Sequence, residues 1–286
     1  MRGDVVRGRL AAGESVLMPG VWDPLSALLA QRSGFSTVFL SGYCLSAAAL
    51  GVPDVGLLTQ TEVADAARRT CAAVPDTAVI VDGDTGYGGV TNAARTVALW
   101  EQAGAAGVFI EDQVAPKRCG HMAGKEVVDS EDWLAKLRAA LGERDHLHVT
   151  ARTDARAPLG LDEAIDRGRA ARDLGVDAVF VEAPESVAEL EAIAAALDGV
   201  TLVANMVETG KTPLLTPAEL AELGFRLIVS PLSLLFAATA AMAEAGRTLA
   251  EEGSLRAHLD RLVAFDEFTD LVGLGGWHDL ADRYQG

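Results

Sequence analysis

AVIVDGDTGYGGVTNAARTVALWEQAGAAGVFIE, residues 78–111, contains one full period of the pattern that decides the fold. A short β-branched run, Ala78 to Val81, ends on a carboxylate, Asp82. A glycine-rich turn follows, then Asn92 to Ala103 with the spaced apolar residues of an amphipathic helix. A second apolar run, Gly107 to Ile110, ends on another carboxylate, Glu111.

The same strand-then-helix alternation extends in both directions. Candidate strands are Ser15 to Met18, Thr37 to Leu40, Ala78 to Val81, Gly107 to Ile110, Leu147 to Ala151, Ala178 to Val181, Thr201 to Ala204 and Arg226 to Val229. Thr61 to Ala73, Ser130 to Leu141 and Leu161 to Leu174 read as further helices, several opened by Ser, Thr or Asp caps. Eight βα units predict an α/β chain folded as a TIM (β/α)8 barrel rather than a doubly wound sheet. No linker or composition change interrupts residues 1–286, so the reading is a single barrel domain with a helical C-terminal extension from about residue 250. The sequence stays helical through about Phe268, longer than one barrel helix needs, which suggests a subunit contact. Ser41, Asp82, Asp84, Glu111, Arg152, Glu182 and Asn205 all fall at or just past strand C-terminal ends, the face on which barrel enzymes build their sites.

Composition narrows the function classes. Among 286 residues, 41 acidic side chains outnumber 24 Lys and Arg, a formal charge of -17 that disfavours nucleic acid and anionic membranes as partners. No run of about 18 apolar residues appears, and the first residues lack a signal-peptide core, so a soluble cytoplasmic protein is expected. Cys44, Cys71 and Cys119 have no disulfide framework spacing.

Asp82 and Asp84, spaced i, i+2, point the same way if extended geometry persists through Gly83. Oxygen donors without a thiol or imidazole suit Mg²⁺ or Mn²⁺, and Glu111 on the next strand is placed to hold a metal-bound water. In the loop after Glu111, Cys119 is surrounded in sequence by Lys117, Arg118 and His121, neighbours that favour thiolate. Two ligands with no partner pair fall short of zinc, so acid-base work fits better. The connection from Asp112 to Asp129 is long and bears glycine, as lids do. Arg152 is a natural clamp for a carboxylate or enolate oxygen, with Glu182 as its possible ion-pair partner, and the turn Ser41-Gly42-Tyr43 offers backbone N–H groups to an anion.

The chain resembles the isocitrate lyase and phosphoenolpyruvate mutase superfamily over nearly its whole length. Ser41-Gly42-Tyr43, Leu50-Gly51-Val52-Pro53-Asp54, Asp82-Gly83-Asp84-Thr85-Gly86, Ile110-Glu111-Asp112-Gln113, Lys117-Arg118-Cys119-Gly120-His121, Ala151-Arg152-Thr153-Asp154-Ala155 and Ala204-Asn205-Met206-Val207-Glu208 carry the likeness. It is most similar to the petal-death-protein-like 2-alkylmalate lyases, and also to the 2-methylisocitrate and 2,3-dimethylmalate lyases. The resemblance implies a Mg²⁺-dependent homotetramer, a dimer of dimers that swap C-terminal helices. It places Asp82 and Asp84 at the metal with Asp54 and Glu111 in an outer shell. Ser41, Gly42, Tyr43 and Arg152 would hold the 2-oxo-acid half, and Gly120, His121, Glu182 and Asn205 the other carboxylate. Cys119 would be the general acid, in a catalytic group with Lys117, His121, Arg152 and Asp54.

Two departures bear on substrate. Phe236 and Phe265 stand where 2-methylisocitrate lyases carry arginines, which favours a dicarboxylate with an apolar substituent, and Pro231 stands where oxaloacetate-hydrolysing relatives tend to have serine. The expected activity is retro-aldol cleavage of a 2-alkylmalate or 2,3-dimethylmalate to a 2-oxo acid and a carboxylic acid. The alternatives are 2-methylisocitrate cleavage, oxaloacetate decarboxylation or hydrolysis, a carboxyphosphonoenolpyruvate-type phosphonomutase, and an inactive binding barrel.

Overall fold

A computed structural model describes residues 2–120, 122 and 124–285. Eight parallel strands close into a barrel in chain order: β1 (Val16–Val21), β2 (Thr37–Leu40), β3 (Ala78–Asp82), β4 (Gly107–Glu111), β5 (His148–Thr153), β6 (Ala178–Val181), β7 (Thr201–Asn205) and β8 (Phe225–Ser230). Each expected strand is present. Several run one or two residues further, so Asp82, Glu111, Arg152 and Asn205 lie within strands rather than beyond them. The added residues are polar, which ends the apolar run before the hydrogen-bond ladder ends: Glu111 still pairs in register with Arg152.

Strand alternation divides the core in two. One set packs outward against the helices and includes Val79, Val81, Val108, Ile110, Val149, Ala151, Val179 and Val181, with Trp100 and Trp133 fully buried on the helix side. The other set fills the barrel: Met18, Phe39, Ile80, Phe109, Phe180, Val203, Leu227 and Val229. Two residues beyond this inner layer stand Ser41, Asp82, Glu111, Glu182, Asn205 and Pro231. The period of two that builds the core therefore also delivers the polar groups to one pocket.

The helix α1 (Arg2–Ala11) has few apolar residues and no clear periodic signal in the sequence. Val6 joins the barrel-interior cluster, while Arg7 donates to the carbonyls of Leu147 and His146 at 3.0 and 2.8 Å. From Leu235 onward the chain forms a second compact unit. The expected continuous helix through Phe268 is divided. One helix spans Ser233–Glu252, and Gly253 follows at φ +71°, the left-handed stop that glycine supplies. Two shorter helices then cover Phe265–Leu271 and Leu274–Gln285. No helix among the described residues is long and apolar enough to cross a membrane.

His148 opens β5 and is fully buried, with Thr150 Oγ1 3.4 Å from Nδ1 and no hydrogen-bond partner for Nε2 among the described residues. Burial pushes its pKa down to about 4, outweighing Asp177. A folded-state value below the unfolded one means that the unfolded chain takes up the proton first. The stability contributed by neutral His148 is therefore complete above about pH 6.5 and is lost as pH falls toward about 4, in total about 3 kcal/mol. Denaturant titrations of the wild type and His148→Leu at pH 7 and pH 4 should diverge by an amount of that order, the variant losing less. Equal losses would show that His148 does not titrate this way.

Candidate active site

The pocket at the C-terminal ends of the strands is small, about 50 Å³, and two-sided. Phe39, Phe109, Phe180, Val207, Val229, Pro231 and Leu232 form apolar walls, and Ser41, Tyr43, Asp54, Asp82, Cys119, Gly120, Arg152, Glu182 and Asn205 supply the polar ones. Its aromatic floor is continuous, with Phe39 and Phe109 centroids 5.0 Å apart and Phe109 and Phe180 6.0 Å apart.

Asp82 and Asp84 come together, but not by strand alternation. β3 stops at Asp82, Gly86 N–H closes a turn on the Gly83 carbonyl at 2.8 Å, and Asp84 sits at φ +44°. Extended geometry does not persist through Gly83, so the turn rather than the pleat returns Asp84 to its neighbour, and its N–H donates to Asp82 Oδ1 at 3.1 Å. Gly42 N–H donates to Asp82 Oδ2 at 3.3 Å, which leaves that amide on a protein carboxylate, and Ser41 caps the short helix after β2 through Cys44 N–H at 3.4 Å.

Lys117 is buried against these carboxylates, 2.6 Å from Asp54 Oδ1 and 2.9 Å from Asp84 Oδ1. The sequence suggested Lys117 as a neighbour that activates Cys119. The structure aims its ammonium at the acidic cluster instead, because Cys119 N–H on the Asp54 carbonyl, at 3.1 Å, fixes how the loop crosses this side of the barrel. Burial would lower Lys117, and Asp84, Glu111, Asp82 and Asp54 more than reverse that, holding it well above the usual lysine range. Burial pushes Asp84 up to about 6 despite Lys117, and holds Glu111 well above the carboxylate range despite Arg152 and Lys117.

Arg152 lies among three carboxylates. Its Nη2 is 3.2 Å from Glu111 Oε2, and its Nε is 2.9 Å from Asp154 Oδ2 and 3.5 Å from Glu182 Oε2. The guanidinium also stands 5.5 Å above the Phe180 ring. Asn205 Nδ2 donates to Glu182 at 3.3 Å. Burial would raise Asp154, but Arg152 and Lys125 hold it at about 2. Gly120 stands directly over this group: a Cβ there would lie 2.6 Å from Glu182 Cδ and 2.7 Å from Arg152 Nη2. His121 lies outside the described residues. Phe236 and Phe265 belong to the C-terminal unit, 40% and 81% exposed, whereas the residues lining the pocket come from the barrel.

Sequence reading missed roles for Asp154, Lys125, Val207 and Leu232. Asp154 had a signal, since Arg152 and Asp154 repeat the i, i+2 spacing of Asp82 and Asp84. Val207 and Leu232 had one too, following Asn205 and Pro231 at strand ends, whereas Lys125 had none, because only chain crossing brings it to Asp154.

Six buried carboxylates, Asp54, Asp82, Asp84, Glu111, Asp154 and Glu182, face three cations, Lys117, Lys125 and Arg152. Glu111 Oε1 is buried and accepts no hydrogen bond among the described residues, and Asp84 Oδ1 faces only the Lys117 ammonium, at 2.9 Å, among them. No three His, Cys, Asp or Glu side chains among them converge as a ready ligand set. An all-oxygen donor set, with Glu111 Oε1 unsatisfied beside it and six carboxylates against three cations, fits Mg²⁺, which keeps several waters beside one or two carboxylates.

The sequence profile of the phosphoenolpyruvate phosphomutase family matches residues 7–250. The chain is 48% identical to a petal death protein of Dianthus caryophyllus (95% of this chain, 86% of that protein) and 50% identical to a chloroplastic carboxyvinyl-carboxyphosphonate phosphorylmutase of Arabidopsis thaliana (94% and 80%). It is 42% identical to a 2,3-dimethylmalate lyase of Eubacterium barkeri (98% and 96%). Among solved structures, a 2,3-dimethylmalate lyase superposes with TM-score 0.95 at 36% identity, covering 100% of this chain and 96% of that one. An oxaloacetate acetylhydrolase bound to 3,3-difluorooxaloacetate follows with TM-score 0.94 at 35% identity (100% and 97%). A phosphonopyruvate hydrolase with oxalate and Mg²⁺ gives TM-score 0.90 at 29% identity (100% and 100%).

Proposed function

The chain belongs to the phosphoenolpyruvate mutase family, enzymes of the isocitrate lyase superfamily, and from that premise we propose that it is a Mg²⁺-dependent carbon-carbon lyase that cleaves a 2-alkylmalate or 2,3-dimethylmalate. The pocket carries this reading: one end is acidic and suited to a cation, the other has one guanidinium, and the wall between is apolar. Among the described lining residues Arg152 is the one cation. A dicarboxylate can place one carboxylate at the cation site and one on Arg152. A tricarboxylate would leave an anion facing Phe180, Val207 and Leu232, a costly burial.

Asp82 and Asp84 would hold Mg²⁺, with Glu111 and Asp54 behind them. When bound, the ion supplies Lewis-acid polarisation of the 2-oxo-acid oxygens. Ser41 and Tyr43 line the pocket and orient that half, with Gly42 N–H holding Asp82 Oδ2 beside them, while Glu182 and Asn205 position the other carboxylate with Gly120. As the C2–C3 bond breaks, the C2 hydroxyl proton passes to a base among the buried carboxylates at the metal end, Arg152 stabilises the developing oxyanion, and the Cys119 thiol delivers a proton to the enediolate carbon. The hydroxyl proton then restores the thiol before the next turnover. That proton donor is what cleavage to a carboxylic acid requires, and phosphoryl migration has no use for it. A proton donor in that place supports the lyase reading over a phosphonomutase. Leu259, Phe265, Trp277 and Tyr284 in the C-terminal unit are at least 65% exposed, and this apolar surface supports a homo-oligomer, with a tetramer as the proposed state.

The test is a substrate panel read as 2-oxo-acid release. 2-Alkylmalates should be preferred over malate by several-fold per added carbon until the pocket fills, since each buried CH₂ gains roughly 0.8 kcal/mol. 2-Methylisocitrate and oxaloacetate should react far more slowly, and chelator should abolish all turnover. A specificity constant favouring 2-methylisocitrate, or full turnover in metal-free protein, would overturn the assignment.

A further inference from the structure

Lys125 is the second fully buried lysine at the site, and no step above uses it. Its Nζ donates to Asp154 Oδ1 at 2.8 Å, both side chains having 0% exposure, and to the Gly120 carbonyl at 2.5 Å. Asp154 also accepts from Arg152, Nε at 2.9 Å and Nη2 at 3.1 Å. One connected set of atoms therefore runs from the loop carbonyl beside Cys119, through Lys125 and Asp154, to the guanidinium in the pocket. The barrel end of this set is fixed independently: Asp154 N–H donates to Asp112 Oδ1 at 2.7 Å, and Arg167 holds Asp112 Oδ2 at 3.0 Å.

We propose that Lys125 is a positioning residue that ties the Cys119–Gly120 backbone to β5, so that the thiol and the Arg152 guanidinium face the same pocket. Stability alone gives little reason for this lysine. Taking an ammonium and a carboxylate out of water costs about as much as their attraction returns, and apolar residues of similar volume do as well. The bond to a loop carbonyl is what an apolar side chain cannot supply. Gly120 fits the same account, because the loop can close onto Arg152 and Glu182 only where no Cβ intervenes.

The inference adds to the proposed lyase reading, but its test does not depend on any substrate. Full-length wild type and Lys125→Met would be treated with iodoacetamide, and alkylation of each cysteine followed by mass spectrometry. Cys44 and Cys71, 0% and 3% exposed, serve as internal controls. Cys119 alkylation should rise about tenfold with Cys44 and Cys71 unchanged, the local opening expected when one charge-assisted hydrogen bond is lost. A parallel rise at all three cysteines would mean that Lys125 only supports the fold, and an unchanged Cys119 rate would mean that it does not hold the loop. Either result overturns the proposal. Should the lyase assignment fail its substrate panel, this measurement would still stand.

Discussion

Cys119→Ser should lower turnover of the preferred 2-alkylmalate by about two to four orders of magnitude, the contribution of a positioned general acid. The side chain lines the pocket with Arg152 and Glu182, while its backbone is held separately, N–H to the Asp54 carbonyl at 3.1 Å and carbonyl to Met122 N–H at 2.8 Å. Serine preserves that backbone and nearly the same volume, but its hydroxyl is a far weaker acid than a thiol. The loss should fall on kcat, with Mg²⁺ and oxalate affinities close to wild type. A turnover within threefold of wild type would remove Cys119 from proton transfer and leave it as a wall residue.

Arg152→Met should damage both fold and reaction. Methionine fills much of the space over the Phe180 ring but leaves Glu111, Asp154 and Glu182 facing one another without the cation among them. Removing one partner of a buried charged group costs about 3–5 kcal/mol. The sign of the pH dependence follows from the same carboxylates. Without Arg152, Asp154 loses a partner that holds it at about 2, and Glu111, already raised by burial, is raised further. Both then take up protons more readily in the folded state, so the deficit is complete at alkaline pH and shrinks as pH falls. Melting curves at pH 8 and pH 5 should show the variant recovering toward wild type at the lower pH. Turnover should fall by at least about a hundredfold with the loss of an oxyanion donor. A variant with wild-type melting at pH 8 would mean that Lys125 and Lys117 already neutralise the three acids.

Much of the barrel was legible because its physics is local. Runs such as AVIV and GVFI specify strands by β-branched composition, and amphipathic stretches such as Gln60–Ala73 specify helices with readable caps, Thr59 bonding Glu62 in a capping box. The period of two that buries Phe39, Ile80, Phe109 and Phe180 also carries Ser41, Asp82, Glu111 and Glu182 to one face, so most pocket residues could be listed before any coordinate was known. Helix α1 escaped notice because long-range bonds from Arg7 hold it rather than an apolar stripe.

The amino-acid order alone determined the eight βα units, the polar groups at their strand ends and the family motifs. Only the tertiary structure decided where the charges pair. It bent the chain after Gly83 so that Asp84 meets Asp82, turned Lys117 from Cys119 toward Asp54 and Asp84, and buried Lys125 on Asp154. Strand alternation is a property of neighbouring residues and can be read from their order. A buried ion pair is chosen by distance and by exclusion of water, and both exist only once residues as far apart as Asp54 and Lys117 are brought together.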